Sequence, residues 1–153
     1  MDFLSLISNR IYLNVPAKNS EELFISIADI MSNPQISSAE IYSHLKIREE
    51  LGSTGLGLGV AIPHSRIKNL HQTIISIVRI SQAIEFKAPD NENVNIFIAI
   101  LVPEQATQEH LDLLSYIANM LADDELREIL NSSNNTEDIL QAIQIYHHQI
   151  TEQ

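Results

Sequence analysis

His64 is the residue of this chain whose surroundings most favour covalent chemistry. Imidazole is the one side-chain group that is substantially neutral and nucleophilic near pH 7, so it suits reversible phosphoryl transfer. Pro63 immediately precedes His64 and fixes the backbone, which holds the imidazole in one direction at the end of a strand-like segment. These features predict an oriented nucleophile at His64, and the alternative is a loop histidine without function.

All 4 glycines of the chain lie shortly before His64, at positions 52, 55, 57 and 59. Such a concentration indicates backbone conformations that a β-carbon would forbid, or a close approach to another molecule. The segment does not fit a dinucleotide-binding fingerprint, because its final spacing differs and a strand-like stretch follows it. It also lacks the Lys-Ser/Thr pair of a Walker loop. A plain glycine-rich turn between two strands is the alternative interpretation.

The composition predicts one domain, residues 1–153, and excludes several classes of function. The chain has 153 residues, 44% of them hydrophobic, and no cysteine, which excludes disulfides and thiolate chemistry. Its net charge of −11, without a basic cluster, argues against nucleic acid and suits basic protein partners. The longest apolar stretch, residues 96–102, is much shorter than the roughly 20 residues that span a bilayer. The N-terminus does not resemble a secretory signal, so we expect a cytoplasmic protein without membrane insertion.

The elements that must position His64 are predicted from hydrophobic periodicity and capping residues. Segments 74–80 and 94–102 are rich in Ile and Val and are predicted as strands, the second central because it is apolar on both faces. Helices and strands that alternate in this way predict an α/β single domain, a small mixed β-sheet flanked by α-helices. The other predicted elements are a strand over 11–15, a helix over 21–32 capped by Ser20, a helix capped by Ser37 or Ser38 with Ile41, Leu45 and Leu51 inward, a helix from Thr107 to about Leu121, and short helices near 124–131 and 136–147.

Residues 48–64 also carry a resemblance to a known family. The segment REELGSTGLGLGVAIPH, followed further on by a helix with a second histidine, resembles the enzyme IIA domains of the mannitol/fructose class of the bacterial phosphotransferase system. Within that class the chain is most similar to the stand-alone nitrogen-regulatory enzyme IIA proteins. Ser65 stands where the family commonly has glycine, and Leu58 where this subgroup often has asparagine.

The resemblance implies roles for particular residues and requires no cofactor or metal. His64 would accept a phosphoryl group from a small HPr-type phosphocarrier. Arg48 would hold phosphate oxygens in its guanidinium fork, the alternative being a solvated charge on a helix face. His110 would be the second active-site histidine, in a first helical turn that favours a neutral ring, and otherwise a satisfied core histidine. Ser53 and Thr54 could donate hydroxyls to the phosphate, or could simply form the turn.

Several functions are compatible with these observations. A phosphohistidine relay acting in regulation is favoured, because no enzyme IIB or membrane domain is recognised in the chain, and its regulatory protein targets are unknown. A free-standing sugar-specific enzyme IIA and an unphosphorylated binding module are the alternatives. A His64/His110 metal site in a hydrolase is weaker, because no carboxylate completes a ligand set. The other histidines singled out, at 44, 71, 147 and 148, are expected at the surface.

Phosphorylation of His64 is expected to act as a binding switch. The glycine-rich strand and the VAIP segment are expected to surround His64 with small and apolar groups, which gives a largely neutral docking surface. A phosphoryl group would add a charge of about −1.5 to −2 at its centre. Regulatory targets are therefore expected to prefer the unmodified protein.

Overall fold

The computed structural model describes residues 2–151, which form one mixed β-sheet with helices on both faces. The helices of this part of the chain are α1 (Phe3–Ile7), α2 (Ser20–Met31), α3 (Ser38–Glu50), α4 (Thr107–Leu121), α5 (Asp124–Ser132) and α6 (Thr136–Thr151). The strands are β1 (Ile11–Val15), β2 (Gly55–Gly57), β3 (Val60–Ala61), β4 (His64–Ile67), β5 (Ile74–Ile84) and β6 (Val94–Pro103). The predicted α/β class and mixed sheet are confirmed.

Strand β6 lies in the middle of the sheet, as its two apolar faces predict. The sheet order is β1-β5-β6-β3-β2, and β4 also pairs with β6. β6 runs antiparallel to β5 and parallel to β3 and β4, with His64 opposite Ile100. His64 therefore opens a strand that is hydrogen-bonded to the most buried element of the molecule.

The two faces of the sheet bury separate apolar clusters. The first cluster lies under α2 and α3 and includes Phe97, Ala99 and Leu101 of β6. The second lies under α1, α4, α5 and α6 and includes Ile98 and Ile100 of the same strand. Because successive strand residues face opposite sides, β6 contributes to both layers. None of the helices within residues 2–151 is long and apolar enough to cross a membrane.

The capping residues and the end of α3 differ in part from the predictions. Asn19, not Ser20, caps α2, since its side chain accepts a hydrogen bond from the Glu22 backbone N–H at 2.9 Å. Ser37 caps α3 as predicted, in a capping box with Glu40. Leu51, expected inward, is 82% exposed because α3 ends at Glu50 and its helical periodicity stops there.

The β2–β3 hairpin contains an unfavourable residue in its turn. Leu58 and Gly59 have φ angles of 59° and 80°, and positive φ at both central residues is the type I′ pattern that favours Asn-Gly. The Leu58 side chain is 63% exposed, so it contributes little packing. Leucine in this left-handed region costs roughly 1–2 kcal/mol, whereas asparagine adopts it more readily.

Leu58→Asn is therefore expected to raise the free energy of unfolding by about 1 kcal/mol. Denaturant-induced unfolding measures this change. Leu56→Asn is the matched control. Leu56 lies in the same hairpin and is 42% exposed, but its φ angle is not positive. A gain in both variants, or in neither, would show that backbone strain at Leu58 does not limit stability.

Candidate active site

A cavity of about 380 Å³ brings together His64, Arg48 and His110, three residues predicted from the sequence. The C-terminal turn of α3, the start of β4 and the first turn of α4 meet there. The remaining lining residues are His44, Ile47, Leu51, Ser65, Arg66 and Glu104. The cavity is therefore rich in imidazole and guanidinium groups, which are donors to phosphate.

The backbone immediately before His64 is held by hydrogen bonds to neighbouring segments. The Ile62 N–H donates to the Thr54 carbonyl oxygen at 3.0 Å, and the Ile100 N–H donates to the Pro63 carbonyl oxygen at 2.9 Å. Pro63 is buried and fixes φ. The predicted fixed direction of the His64 side chain follows from these constraints.

The His64 ring is oriented by a hydrogen bond to the main chain. Its Nδ1 lies 2.6 Å from the Ile62 carbonyl oxygen, and since a carbonyl only accepts, Nδ1 carries the proton. Burial lowers the pKa of His64, the bond to Ile62 opposes this, and the Arg48 charge lowers it further. The ring is therefore neutral near pH 7, with the lone pair on Nε2.

His110 lies beside His64 and is nearly buried. The two ring centroids are 5.3 Å apart with an interplanar angle of 58°, and His110 is 9% exposed. Burial lowers the pKa of His110, and the charges of His64, Arg66 and Arg48 lower it further. Within the described residues its Nδ1 is buried without a hydrogen-bond partner. Because a buried orphan N–H is rarer than an unfilled acceptor, we assign the ring proton to Nε2.

Arg48 is half-buried and held in place. Its Nη1 donates to the Gly52 carbonyl oxygen at 2.9 Å, in the loop that follows α3. Arg48 lines the cavity together with His64 and His110, and its charge contributes to lowering the pKa values of both rings. A freely solvated side chain on the helix face would show neither feature.

Glu49, which the sequence analysis did not single out, anchors the same loop. Its carboxylate accepts from the Thr54 backbone N–H at 2.6 Å and from the Thr54 hydroxyl at 2.7 Å. Burial raises the pKa of Glu49, and the bonds from Thr54 oppose that rise. Glu49 thus fastens the loop that contains Gly52 to α3. Its only sequence signal was its place in the Arg-Glu pair.

Ser53 and Thr54, predicted to support the phosphate, are not brought into the His64 cavity. The Ser53 hydroxyl donates to the Phe86 carbonyl oxygen at 2.9 Å, and that of Thr54 is bound to Glu49. Both hydroxyl protons are therefore already committed to the protein. This geometry agrees with the turn-forming alternative and gives no support to contact with phosphate.

The surface around His64 differs from the expected neutral one. The four residues that precede His64, expected to form that surface, are buried: Val60, Ala61, Ile62 and Pro63. Arg48 and Arg66 line the cavity instead, beside the exposed side chains of Ile47 and Leu51. The rim thus combines apolar side chains with two arginines and the exposed carboxylate of Glu104.

Two of the remaining histidines are less exposed than expected. His44 is half-buried and lines the cavity, and His147 is half-buried with its Nδ1 2.8 Å from the Tyr116 hydroxyl. His71 and His148 are exposed. Residues 2–151 contain no group of three or more His, Cys, Asp or Glu placed to hold a metal ion. The hydrolase alternative therefore gains no support.

Two neutral histidines beside an anchored arginine supply a nucleophile for phosphorus and donors for phosphate oxygens. The family model described as "Phosphoenolpyruvate-dependent sugar phosphotransferase system, EIIA 2" matches residues 5–145. The chain therefore belongs to the EIIA 2 family and is a phosphotransferase component that acts through a phosphohistidine. This finding confirms the resemblance seen in the sequence.

The chain is similar to nitrogen regulatory proteins and, at lower identity, to a sugar-transport component of the family. The chain is 35% identical over 140 residues to a nitrogen regulatory protein of Pseudomonas aeruginosa, covering 90% of this chain and 91% of the relative. A fructose-like EIIA component of Escherichia coli is 29% identical, with coverage of 76% and 80%. The crystal structure of nitrogen regulatory protein IIA-Ntr from Neisseria meningitidis superposes with a TM-score of 0.87 at 33% identity, covering 91% of this chain and 97% of that one.

Proposed function

We propose that His64 is the phosphoryl acceptor of a nitrogen-type regulatory relay, with an HPr-type phosphocarrier as donor and regulatory proteins as targets. The observation that carries this proposal is the hydrogen bond from Nδ1 to the Ile62 carbonyl. It fixes the tautomer whose Nε2 lone pair is free, in a cavity that is also lined by the guanidinium groups of Arg48 and Arg66. The relatives named nitrogen regulatory proteins support the regulatory assignment.

The transfer step follows from this tautomer. The Nε2 lone pair of His64 attacks phosphorus and forms the new P–N bond. The bond between phosphorus and the donor atom breaks, and its electron pair leaves with the donor. The proton on Nδ1 stays on the hydrogen bond to Ile62, which stabilises the positive charge that the ring acquires.

Arg48 and His110 would stabilise the phosphoryl group during transfer. Negative charge on the equatorial oxygens of the phosphoryl group is stabilised by hydrogen-bond donors that are already in position. The hydrogen bond to the Gly52 carbonyl holds the Arg48 guanidinium in such a position. The Nε2–H of His110 would supply a neutral donor without requiring that the ring be protonated. Ser53 and Thr54 take no part in this proposal.

Mapping of the phosphorylated atom tests the proposed function. Incubation with phosphoenolpyruvate, the general enzyme I of the system and an HPr-type carrier should label the protein once. The label should be acid-labile and alkali-stable, as expected of a P–N bond, and should be lost in His64→Ala. Phosphorus and nitrogen NMR should place it on Nε2. Label on His110, or label that survives in His64→Ala, would overturn the assignment.

A sugar-specific enzyme IIA is the second candidate, and the fructose-like EIIA relative favours it. The two functions differ in what the phosphorylated protein does next. A sugar-specific protein should pass its phosphoryl group to an enzyme IIB, whereas a regulatory protein should keep it in the presence of an enzyme IIB.

We place the relay in the cytoplasm, where phosphoenolpyruvate is formed.

A further inference from the structure

Arg66 lines the His64 cavity, and none of the described residues, 2–151, pairs with its charge. It stands two positions after His64 on β4, so both side chains leave the same face of the strand. It is exposed and lines the cavity, and its charge lowers the pKa of His110. Within residues 2–151 its guanidinium makes no hydrogen bond or ion pair, although Glu104 lines the same cavity.

This position differs from that of Arg48. Arg48 is half-buried and tied to Gly52, so its geometry is set before a phosphoryl group arrives. Arg66 is unbound and is placed near a histidine whose protonation it disfavours. In a chain of net charge −11, an arginine that lines a cavity with two histidines and pairs with no carboxylate of the described residues is available for an anion.

We propose that Arg66 binds the phosphoryl group once it is on His64 and so sets the transfer equilibrium. This inference rests on the proposed function. A phosphoryl group carries about −1.5 to −2 charge, more than a single guanidinium neutralises. Arg48 meets the group throughout transfer, whereas Arg66 turns in from the rim and stabilises the product. No covalent bond forms or breaks at Arg66, which acts through charge-assisted hydrogen bonds to the phosphoryl oxygens.

The expected effect is a change in equilibrium more than in rate. Arg66→Gln should lower the equilibrium ratio of phosphorylated protein to phosphorylated donor by roughly twofold to fivefold, the range of a charge pair at an exposed site. Arg66→Lys should keep most of the wild-type ratio, because an unconstrained rim contact requires the charge more than the fork. High salt should reduce the difference between wild type and Arg66→Gln.

The matched control is Lys68→Gln. Lys68 is exposed, lies just beyond β4 and does not line the cavity, so this variant removes the same net charge two positions away. Each protein is mixed with phosphorylated carrier, and the equilibrium ratio is read from quantitative phosphorus NMR. The phosphoryl pKa in the same spectra is a second readout, and it should rise in Arg66→Gln alone, because loss of a nearby cation disfavours the dianion.

The outcomes separate this proposal from the proposed function. If His64 is labelled in the wild type and Arg66→Gln matches Lys68→Gln in both ratio and phosphoryl pKa, Arg66 does not bind the phosphoryl group. If the wild type is never labelled at His64, the proposed function fails and this inference fails with it. Far-ultraviolet circular dichroism of each variant confirms that the fold is retained.

Discussion

Replacement of Arg48 by alanine is expected to slow phosphoryl transfer to His64 by about 100- to 1000-fold, the usual cost of losing one preorganised charge-stabilising donor. The hydrogen bond to Gly52 and the half-buried position hold the guanidinium where charge develops in transfer. The fold should persist, because the side chain is outside both apolar clusters. Single-turnover transfer from phosphorylated carrier measures the rate.

Two further variants separate the geometry of Arg48 from its charge. Arg48→Lys should recover only part of the rate, since a point charge does not reproduce the planar fork. Lys46→Ala removes a charge two positions earlier on α3, from a side chain that does not line the His64 cavity, and should transfer normally. Transfer by Arg48→Ala at the wild-type rate would assign this arginine to the helix surface.

His110→Ala should slow transfer within the same range, through loss of the Nε2–H donor. His110→Gln keeps an N–H group at similar reach and should lose less. Because the His110 Nδ1 has no hydrogen-bond partner within residues 2–151, replacing the ring by glutamine breaks no native hydrogen bond at that atom. Equal losses in the two variants would indicate that the ring acts by packing against His64.

Long elements could be predicted from the sequence because their periodicity persists over several turns or residue pairs. β6 was identified because it is apolar on both faces, and α4 because its apolar stripe is continuous. The strands β2, β3 and β4 have 3, 2 and 4 residues, which is too short for a periodic signal. Their positions depend on pairing with β6, which is remote in sequence.

The sequence identified those residues of the candidate site whose side-chain type and motif already indicate a role. His64, Arg48 and His110 share one cavity, as the resemblance implied. The role of the Ser53 hydroxyl could not be assigned from the sequence, because its acceptor is a carbonyl 33 positions away. The Thr54 hydroxyl donates to Glu49, a residue that the sequence analysis did not single out. Arg66 was missed because its relation to His64 requires that both lie on one strand, and β4 was not predicted.

Phosphorylation of His64 is expected to weaken the binding of regulatory partners by roughly tenfold to hundredfold. A partner that packs on Ile47 and Leu51, which are 58% and 82% exposed, would cover the cavity and remove water from the phosphoryl group. An unpaired buried charge costs about 3–5 kcal/mol, but Arg48 and Arg66 offset part of that cost. A hundredfold loss, about 2.8 kcal/mol, is therefore an upper value.

The unmodified protein, its phosphorylated form and the His64→Ala and His64→Asp variants form the test series. Binding of each to a purified target is measured by calorimetry. The unmodified protein and His64→Ala should bind alike, His64→Asp should bind more weakly, and the phosphorylated form should bind most weakly, in order of added charge. Equal binding by all four would mean that phosphorylation is not a switch and that the protein is a plain relay.

The surface that carries the switch is tested by two matched changes. Leu51→Ser removes an exposed apolar side chain at the cavity, and Ile25→Ser removes one on α2 that is 47% exposed and does not line the cavity. Only Leu51→Ser should weaken binding of the unmodified protein, because only Leu51 would be covered by the partner. If Ile25→Ser weakens binding equally, the target docks elsewhere, and the phosphoryl charge cannot regulate it by being buried.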